Sequence, residues 1–371
     1  MKQHYAGLDG IRGLAAGAVM LMHLIGIFRP GLGPQINASV AVDLFFMLSG
    51  FVLAYAYDGR LDNGLRWTSF MAIRIIRLYP MLFLATMLSA CVAVLKVAVQ
   101  HRVDPGEELW LVPAGLLLLP TGVLLGHSSA FSSQLDLIPF GGPAWSLLFE
   151  LIASAAFATR LRRSRPLGSL AFACGAVLLI ALTLAAGRIG ILGTQGYVGA
   201  LGGFVRVGVS FAIGMFLFRR RLPDVLPTLP AGFAILAGGL LCLLPMEGFP
   251  LFDLLCVFLF FPLVISFGAQ PVRSPRLRRL CDILGALSYP LYLLHVPVAR
   301  IVGFVAKAIL PSISANGLIA TAAVGSVAAS FLALYLFDEP VRRWLTVRLR
   351  QRTPLAPTPP LTGELPFEHR G

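Results

Sequence analysis

Long apolar runs alternate with short polar and basic segments along nearly the whole chain. Most of these runs approach the roughly 20 residues that an α-helix needs to cross the hydrocarbon core of a bilayer. The pattern therefore predicts an all-α protein, a polytopic integral membrane helix bundle. The predicted runs cover residues 12–28, 40–57, 78–99, 109–126, 143–159, 169–187, 198–218, 230–246, 251–268, 282–309 and 316–337.

Arginine clusters between the runs indicate which runs cross, because cytoplasmic loops are enriched in Lys and Arg. Three runs separate the cluster at 60–77 from the cluster at 160–165, whereas two clusters on one side require an even number of crossings. The run at 109–126 contains Pro113 and Pro120, so we interpret it as a re-entrant or interfacial segment. We expect about ten transmembrane helices plus that segment, with both termini cytoplasmic and the protein in the cell (inner) membrane.

Composition narrows the class of protein. Hydrophobic residues make up 57% of the chain and charged residues 13%, with a mean hydropathy of +0.82, whereas soluble domains carry about 25% charged residues. The net charge of +13 lies in the basic loops, so membrane topology explains it and we expect no nucleic-acid partner. The five cysteines have no metal-ligand spacing, so no metal site is predicted. We predict one transmembrane domain over residues 1–345 and a disordered, Pro-rich cytoplasmic tail over 346–371.

Two ionisable residues, Arg12 and His23, lie in the first apolar run. At about 100° and 1.5 Å per residue, their side chains share one helix face and lie about 16 Å apart in depth. Ionisable groups inside a membrane are costly and by default mark a functional site. We expect Arg12, with Asp9 one turn before it as a partner, to bind an anion near one interface. His23, near mid-membrane, has a side chain whose ordinary pKa suits a general base.

Charged residues in the next runs extend the candidate site. Asp43 either orients His23 or caps the second helix. Arg74 and Arg77 lie one turn apart. They are either ordinary basic flanks of a span or, beside Arg12, a clamp for a phosphorylated ligand, because guanidinium groups bind phosphate in a bidentate fork.

Two later segments also place polar side chains inside predicted spans. Ser146 and Glu150, which follow Trp145, are four residues apart and share a helix face. A glutamate inside a span is either paired or functional. Tyr292 and His295 lie on one stripe of the helix predicted over 282–309.

Several segments in this order resemble the acyltransferase 3 family of membrane-bound O-acyltransferases. They are residues 8–16 with His23, then 42–51, 74–80, 145–150, 287–295 and 337–340. The resemblance covers about residues 5–345, and the family's signature of an arginine, ten residues and a histidine falls on Arg12 and His23.

The resemblance implies transfer of an acyl group, most often acetyl, from cytoplasmic acyl-CoA to a hydroxyl of an extracytoplasmic glycan or glycoside. Acyl-CoA would be a co-substrate, and no cofactor is implied. In this interpretation His23 is the general base, oriented by Glu150 or Asp43. The substrate-binding residues would be Arg12, Arg74, Arg77, Trp145, Ser146, Tyr292 and His295. The alternative is a transporter or flippase for an anionic or glycan substrate, against which the absence of an internal sequence repeat argues.

Overall fold

The computed structural model describes residues 4–31, 36–100, 111–121, 138, 142–159, 165–194 and 196–352. Within these residues the regular structure is helical, with no β-strand. Eight of the helices are long and apolar enough to cross a membrane. The prediction of an all-α polytopic membrane protein is therefore confirmed.

Each of the ten runs predicted to cross coincides with a helix or a pair of continuous helices. The helices are α1 (Ala6–Phe28), α2 (Ala41–Asp62), α3 (Trp67–Gln100), α4 (Leu111–Leu116), α5 (Trp145–Phe157), α6 (Arg165–Ala186), α7 (Gly196–Arg219), α8 (Leu222–Val225), α9 (Ala231–Leu243), α10 (Pro250–Leu255), α11 (Phe261–Gly268), α12 (Pro275–Ile309), α13 (Ala315–Ala333) and α14 (Glu339–Arg352). π-Helical turns at Cys256–Phe260 and Leu334–Asp338 join α10 to α11 and α13 to α14. Helices α5 and α9 have 13 residues each, so their passage through the bilayer stays a prediction.

The predicted re-entrant segment at 109–126 is only partly covered by the described residues. Helix α4 within it has six residues, which is too short to span a bilayer. Residues 109–110 and 122–126 lie outside the described part of the chain. The re-entrant path stays a prediction.

Helix α1 packs most extensively against α12. Small residues allow this close approach, as is usual between membrane helices. A Cβ atom added at Gly285 would lie 2.5 Å from the Cβ atom of Asp9, and one at Gly13 would lie 2.5 Å from the Cβ atom of Leu284. The polar face of α1 is thereby held directly against α12.

Helices α2 and α7 form a second close pair. A Cβ atom at Gly50 would collide with the backbone carbonyl of Phe211, and one at Gly214 would collide with that of Met47. This close packing at Gly50 and Gly214 brings the first half of α2 against α7.

Prolines interrupt the hydrogen-bond ladders of α3 and α12 without ending either helix. Pro80 lies inside α3, while Pro290 and Pro297 lie inside α12, which continues over 35 residues. The Tyr289 hydroxyl donates a 2.5 Å hydrogen bond to the Leu78 carbonyl oxygen. This bond ties α12 to α3 beside the prolines.

The predicted start of the disordered tail, residue 346, is too early in the chain. Helix α14 continues to Arg352, so residues 346–352 are helical. Leu349 packs against a buried apolar cluster, and the Arg348 guanidinium lies 4.2 Å from the centre of the Trp344 ring. These contacts stabilise the last turns of the helix. Residues 353–371 lie outside the described residues.

Candidate active site

A cavity lies among α1, α2, α3, α5, α12 and the π-helical turn that precedes α14. Including its open mouth, the empty space of this cavity is about 1310 Å³. The polar part of its lining includes Asp9, Arg12, Ser49, Arg74, Arg77, Ser146, Glu150, Ser288, Tyr289, Tyr292, Asp338 and Arg342.

Arg12 is held at the cavity wall by three partners. Its Nη2 lies 2.8 Å from Asp9 Oδ1, which is the pairing expected from their spacing. Nη2 also donates to the Gly285 carbonyl oxygen at 2.9 Å, and Nε donates to Ser288 Oγ at 2.8 Å. Asp9 and α12 therefore fix the guanidinium while one of its faces stays on the cavity.

The two arginines of α3 differ in their partners. Arg74 Nη2 lies 2.5 Å from Glu150 Oε1, whereas its buried Nε has no hydrogen-bond partner in the described part of the chain. Arg77 also lines the cavity, and no carboxylate of the described residues lies within ion-pair distance of it. The structure thus brings Arg12, Arg74 and Arg77 together, with the charge of Arg77 uncompensated by a direct partner.

The sequence predicts that Glu150 or Asp43 orients His23, but Glu150 contacts other residues instead. It accepts hydrogen bonds from Arg74 and, at 2.7 Å, from Ser49 Oγ on α2. Glu150 therefore positions an arginine of the cavity. Ser49, which lines the cavity, is a polar member of this site.

The start of α5 meets α12 at a small hydrogen-bonded cluster. Ser146 Oγ lies 2.9 Å from the Tyr292 hydroxyl, and both groups contact the Pro143 carbonyl oxygen, at 3.0 and 3.2 Å. The Trp145 ring packs edge-on against Phe149, with ring centres 5.8 Å apart, and its ring centre lies 5.7 Å from the Arg206 guanidinium. Ser146 and Tyr292 line the cavity, whereas Trp145, which the sequence predicts to bind substrate, does not.

His23 and His295 contact each other across the α1–α12 interface. His295 Nε2 lies 3.2 Å from His23 Nδ1, and the ring centres are 4.9 Å apart. His23 Nδ1 also lies 2.9 Å from the Val19 carbonyl oxygen, and His295 Nδ1 lies 2.8 Å from that of Leu291. Because a carbonyl oxygen only accepts, Nδ1 carries the hydrogen in both rings. His295 Nε2 then accepts from His23, and His23 Nε2 keeps a lone pair with no partner in the described part of the chain.

Tyr292 connects the cavity to this histidine pair. Its hydroxyl faces the cavity beside Ser146, and its ring centre lies 6.5 Å from that of His295. The Phe45 ring packs edge-on against it at 5.4 Å. Arg12, Arg74 and Arg77 line the cavity, whereas neither histidine does, and Tyr292 is the lining residue beside His295.

The expected contact between Asp43 and His23 is replaced by a buried network around Arg206. Arg206 Nη2 lies 2.7 Å from Asp43 Oδ2, Nε lies 3.0 Å from each oxygen of that carboxylate, and Ser210 Oγ donates to Oδ1 at 3.0 Å. The remaining guanidinium N–H groups bind the carbonyl oxygens of Ser39, Ile189 and Leu192. Asp43 and Arg206 are both 0% exposed, so this network is closed to ligands.

The sequence patterns do not identify three charged residues that lie at or near the candidate site. Arg206 lies inside an apolar run, which is itself a signal for a paired or functional charge. Asp338 and Arg342 follow the last run, and a π-helical turn directs them to the cavity. Helical spacing alone does not predict such a turn.

A further charged group lies just before α1. His4 Nε2 is 2.8 Å from Asp9 Oδ2, and His4 Nδ1 is 3.6 Å from Asp282 Oδ1. The hydrogen bond to Asp9 raises the pKa of His4 above its ordinary value of 6.5, against the opposing effect of burial. Asp9 is thus shared between His4 and Arg12.

Comparisons with known proteins bear on what these features do. A family model described as an acyltransferase domain, that of the acyltransferase 3 family, matches residues 5–336. A Rhizobium radiobacter protein, "Protein 2 in picA locus", is 41% identical over 161 residues, which cover 41% of this chain and 79% of that protein. No solved structure matches. The chain therefore belongs to the acyltransferase 3 family and is a membrane acyltransferase.

Proposed function

We propose that this protein is an O-acyltransferase that moves an acyl group, most readily acetyl, from cytoplasmic acyl-CoA to a hydroxyl of an extracytoplasmic carbohydrate. The observation that carries the proposal is the cavity in which Arg77 lacks a direct partner beside the anchored Arg12 and Arg74. Guanidinium groups bind phosphate more strongly than neutral donors do. Acyl-CoA combines phosphates for these groups with a slender arm that carries the acyl thioester.

The donor enters this cavity with its phosphates at the arginines. The acyl end then extends toward Ser146 and Tyr292, whose hydroxyls lie 2.9 Å apart on the cavity wall. A hydroxyl donor at this point stabilises the negative charge that develops on the thioester oxygen. Ser49 and Glu150 keep Arg74 in place during this step.

His23 is the general base of the reaction. Its Nε2 removes the hydrogen of the acceptor hydroxyl, the hydroxyl oxygen attacks the thioester carbon, and the carbon–sulfur bond breaks. CoA leaves as the thiolate, and the proton held by His23 passes to that thiolate, directly or through water, which restores the neutral histidine. His295 Nε2, 3.2 Å from His23 Nδ1, stabilises the charged form of His23, the role that had been expected of Glu150 or Asp43.

The basic loops support one orientation in the membrane. Arginine clusters lie at 219–221, after α7, and at 273–279, around the start of α12, and the positive-inside rule favours the cytoplasm for such segments. We propose a multi-pass protein of the cell (inner) membrane with both termini cytoplasmic. Acyl-CoA then meets the arginines from the cytoplasm, and the carbohydrate approaches from the other side.

The test uses purified protein in proteoliposomes loaded with glucose, N-acetylglucosamine and their oligosaccharides. Acetyl-CoA with a labelled acetyl group is added outside, and both free CoA thiol and covalently labelled sugar are measured. The proposal predicts thiol release matched by labelled sugar in the lumen, and neither with His23→Gln protein. Movement of sugar or label across the membrane without thiol release would establish the transporter alternative instead.

A further inference from the structure

Asp338 carries a buried oxygen atom that lacks a partner. Its side chain is 2% exposed, and Oδ2 lies 3.0 Å from Arg342 Nε. The other oxygen, Oδ1, is buried and accepts no hydrogen bond from the described part of the chain. Asp338 also lines the cavity that holds the arginines.

Such an oxygen is costly to leave unpaired. Hydrogen bonds to charged groups contribute more than those between neutral groups, and a buried charged acceptor without one loses its hydration uncompensated. Asp43 gives the contrast, because both of its oxygens accept hydrogen bonds from Arg206 and Ser210. The Asp43 carboxylate is complete within the protein, whereas the Asp338 carboxylate is half complete.

The local backbone explains how Asp338 reaches the cavity. It is the last residue of the π-helical turn Leu334–Asp338, which lies between α13 and α14. π-Turns inside α-helices occur frequently at functional sites. The neighbouring Glu339, in regular α-helix, pairs instead with the exposed Arg343 at 3.2 Å.

We infer that Asp338 is a donor-binding residue that accepts a hydrogen bond from an uncharged N–H or O–H group of the acyl carrier. This inference rests on the proposed function. A carboxylate repels phosphate, so Asp338 does not contribute to the phosphate clamp. Acyl-CoA offers suitable groups in two places, the amides and hydroxyl of its pantetheine arm and the adenosine. Asp338 would thus let the cavity distinguish acyl-CoA from anions that carry phosphate alone.

The experiment compares wild-type protein with Asp338→Ala and with the control Glu339→Gln, which removes the neighbouring acidic charge outside the cavity. KM and kcat are measured with acetyl-CoA and with S-acetyl-4′-phosphopantetheine, and inorganic pyrophosphate is tested as an inhibitor. We expect Asp338→Ala to raise the KM for acetyl-CoA about tenfold to a hundredfold. Its kcat and all parameters of Glu339→Gln should stay close to wild type. Pyrophosphate should inhibit Asp338→Ala at least as strongly as wild type, because the variant lacks a carboxylate that repels phosphate.

The two donors identify the group that Asp338 contacts. An equal rise of KM for both donors assigns the pantetheine arm, and a rise for acetyl-CoA alone assigns the adenosine. Unchanged KM for both donors overturns the inference, and so does a matching loss of pyrophosphate inhibition, since that would mean a general collapse of the arginine site. Thermal unfolding of each purified variant identifies a folding defect, and Asp338→Ser, which restores a smaller polar group, then replaces Asp338→Ala under the same criteria.

Failure of the underlying proposal gives a different result. If wild-type protein releases no CoA thiol from acetyl-CoA, the acyltransferase function with this donor is refuted. If wild type is active and only the Asp338→Ala parameters stay unchanged, the assignment of Asp338 alone is refuted.

Discussion

Around Asp43 every polar side-chain atom of a buried ion pair has a hydrogen-bond partner. In the cavity around Arg77, some buried atoms of charged side chains have no hydrogen-bond partner in the described residues. Arg206 and Asp43 satisfy each other together with Ser210 and backbone carbonyls. In the cavity, Arg74 Nε and Asp338 Oδ1 lack hydrogen-bond partners in the described residues. Both regions lie within apolar helices, so sequence alone marks both as sites of interest.

The difference separates two uses of charge inside a membrane protein. A complete network holds helices together, and removal of one member leaves a buried charge unpaired. A set of charges with unmade hydrogen bonds can make them to a bound ligand. We therefore propose that Asp43 and Arg206 hold the helices together and that the cavity arginines bind the substrate.

The same contrast exists within the histidine pair and leads to the largest expected effect. Both nitrogens of His295 are engaged, whereas His23 Nε2 is free in the described structure. His23→Gln keeps hydrogen-bonding capacity and approximate size but cannot accept a proton at neutral pH. We expect acyl transfer to fall by about two to four orders of magnitude, with binding of acetyl-CoA retained.

His295→Gln is the matched comparison. Since His295 acts through His23, its loss should reduce kcat less than the loss of His23 and should alter the pH profile of kcat. The assays use equal amounts of purified protein with acetyl-CoA as donor. Transfer near the wild-type rate in His23→Gln would contradict its role as the base, which would then pass to His295.

The closed network predicts an effect on stability. Arg206→Met leaves Asp43 buried without its cation, and breaking a buried pair in this way costs about 3–5 kcal/mol. The double variant Asp43→Leu with Arg206→Met should be less destabilised than the sum of the single variants, because no charge then stays unpaired. Thermal or denaturant unfolding in detergent micelles measures both. A normal unfolding midpoint in Arg206→Met with lost activity would move Arg206 into the catalytic machinery.

The smallest effect concerns His4. Its pKa is raised in the folded protein, mainly by the hydrogen bond to Asp9, with Asp282 also favouring the charged form and Arg278 opposing it. The protonated form therefore stabilises the fold below pH 6.5, and this stabilisation is lost as the pH rises through the raised pKa.

The unfolding midpoints of wild type and His4→Gln, followed from below the ordinary pKa of 6.5 to alkaline pH, should converge as the pH rises through the raised pKa of His4. A constant difference between the two proteins over this range would contradict the assigned protonation change. Asp9 lies 2.8 Å from both His4 and Arg12. Because Ser288 of α12 also holds Arg12, the same titration should leave donor affinity nearly unchanged.

Much of the cavity could be predicted from the sequence. Arg12, Arg74, Arg77, Ser146, Glu150 and Tyr292 all line it. The helical spans could be predicted because their hydrophobic runs are long, and the site could be predicted because charges in such runs are costly.

The partners of those charges could not be predicted, because they depend on which helices touch. Asp43 meets Arg206 only through the close glycine-mediated packing of α2 on α7. His23 meets His295 only where α1 lies against α12. Asp338 reaches the cavity through a π-helical turn, which regular helical spacing does not predict.

Donor binding measured by isothermal titration tests the central claim, that the incomplete charges of the cavity bind the phosphates of acyl-CoA. The titration uses acetyl-CoA with purified protein that carries His23→Gln to prevent turnover, alone and combined with Arg77→Ala or with Arg219→Ala. Arg219→Ala is the matched control, because it removes the same charge from an arginine that does not line the cavity and that pairs with Asp58 at 2.8 Å. We predict a dissociation constant about tenfold or more higher for Arg77→Ala and unchanged for Arg219→Ala. Equal affinities in all three proteins would show that the cavity is not the donor site.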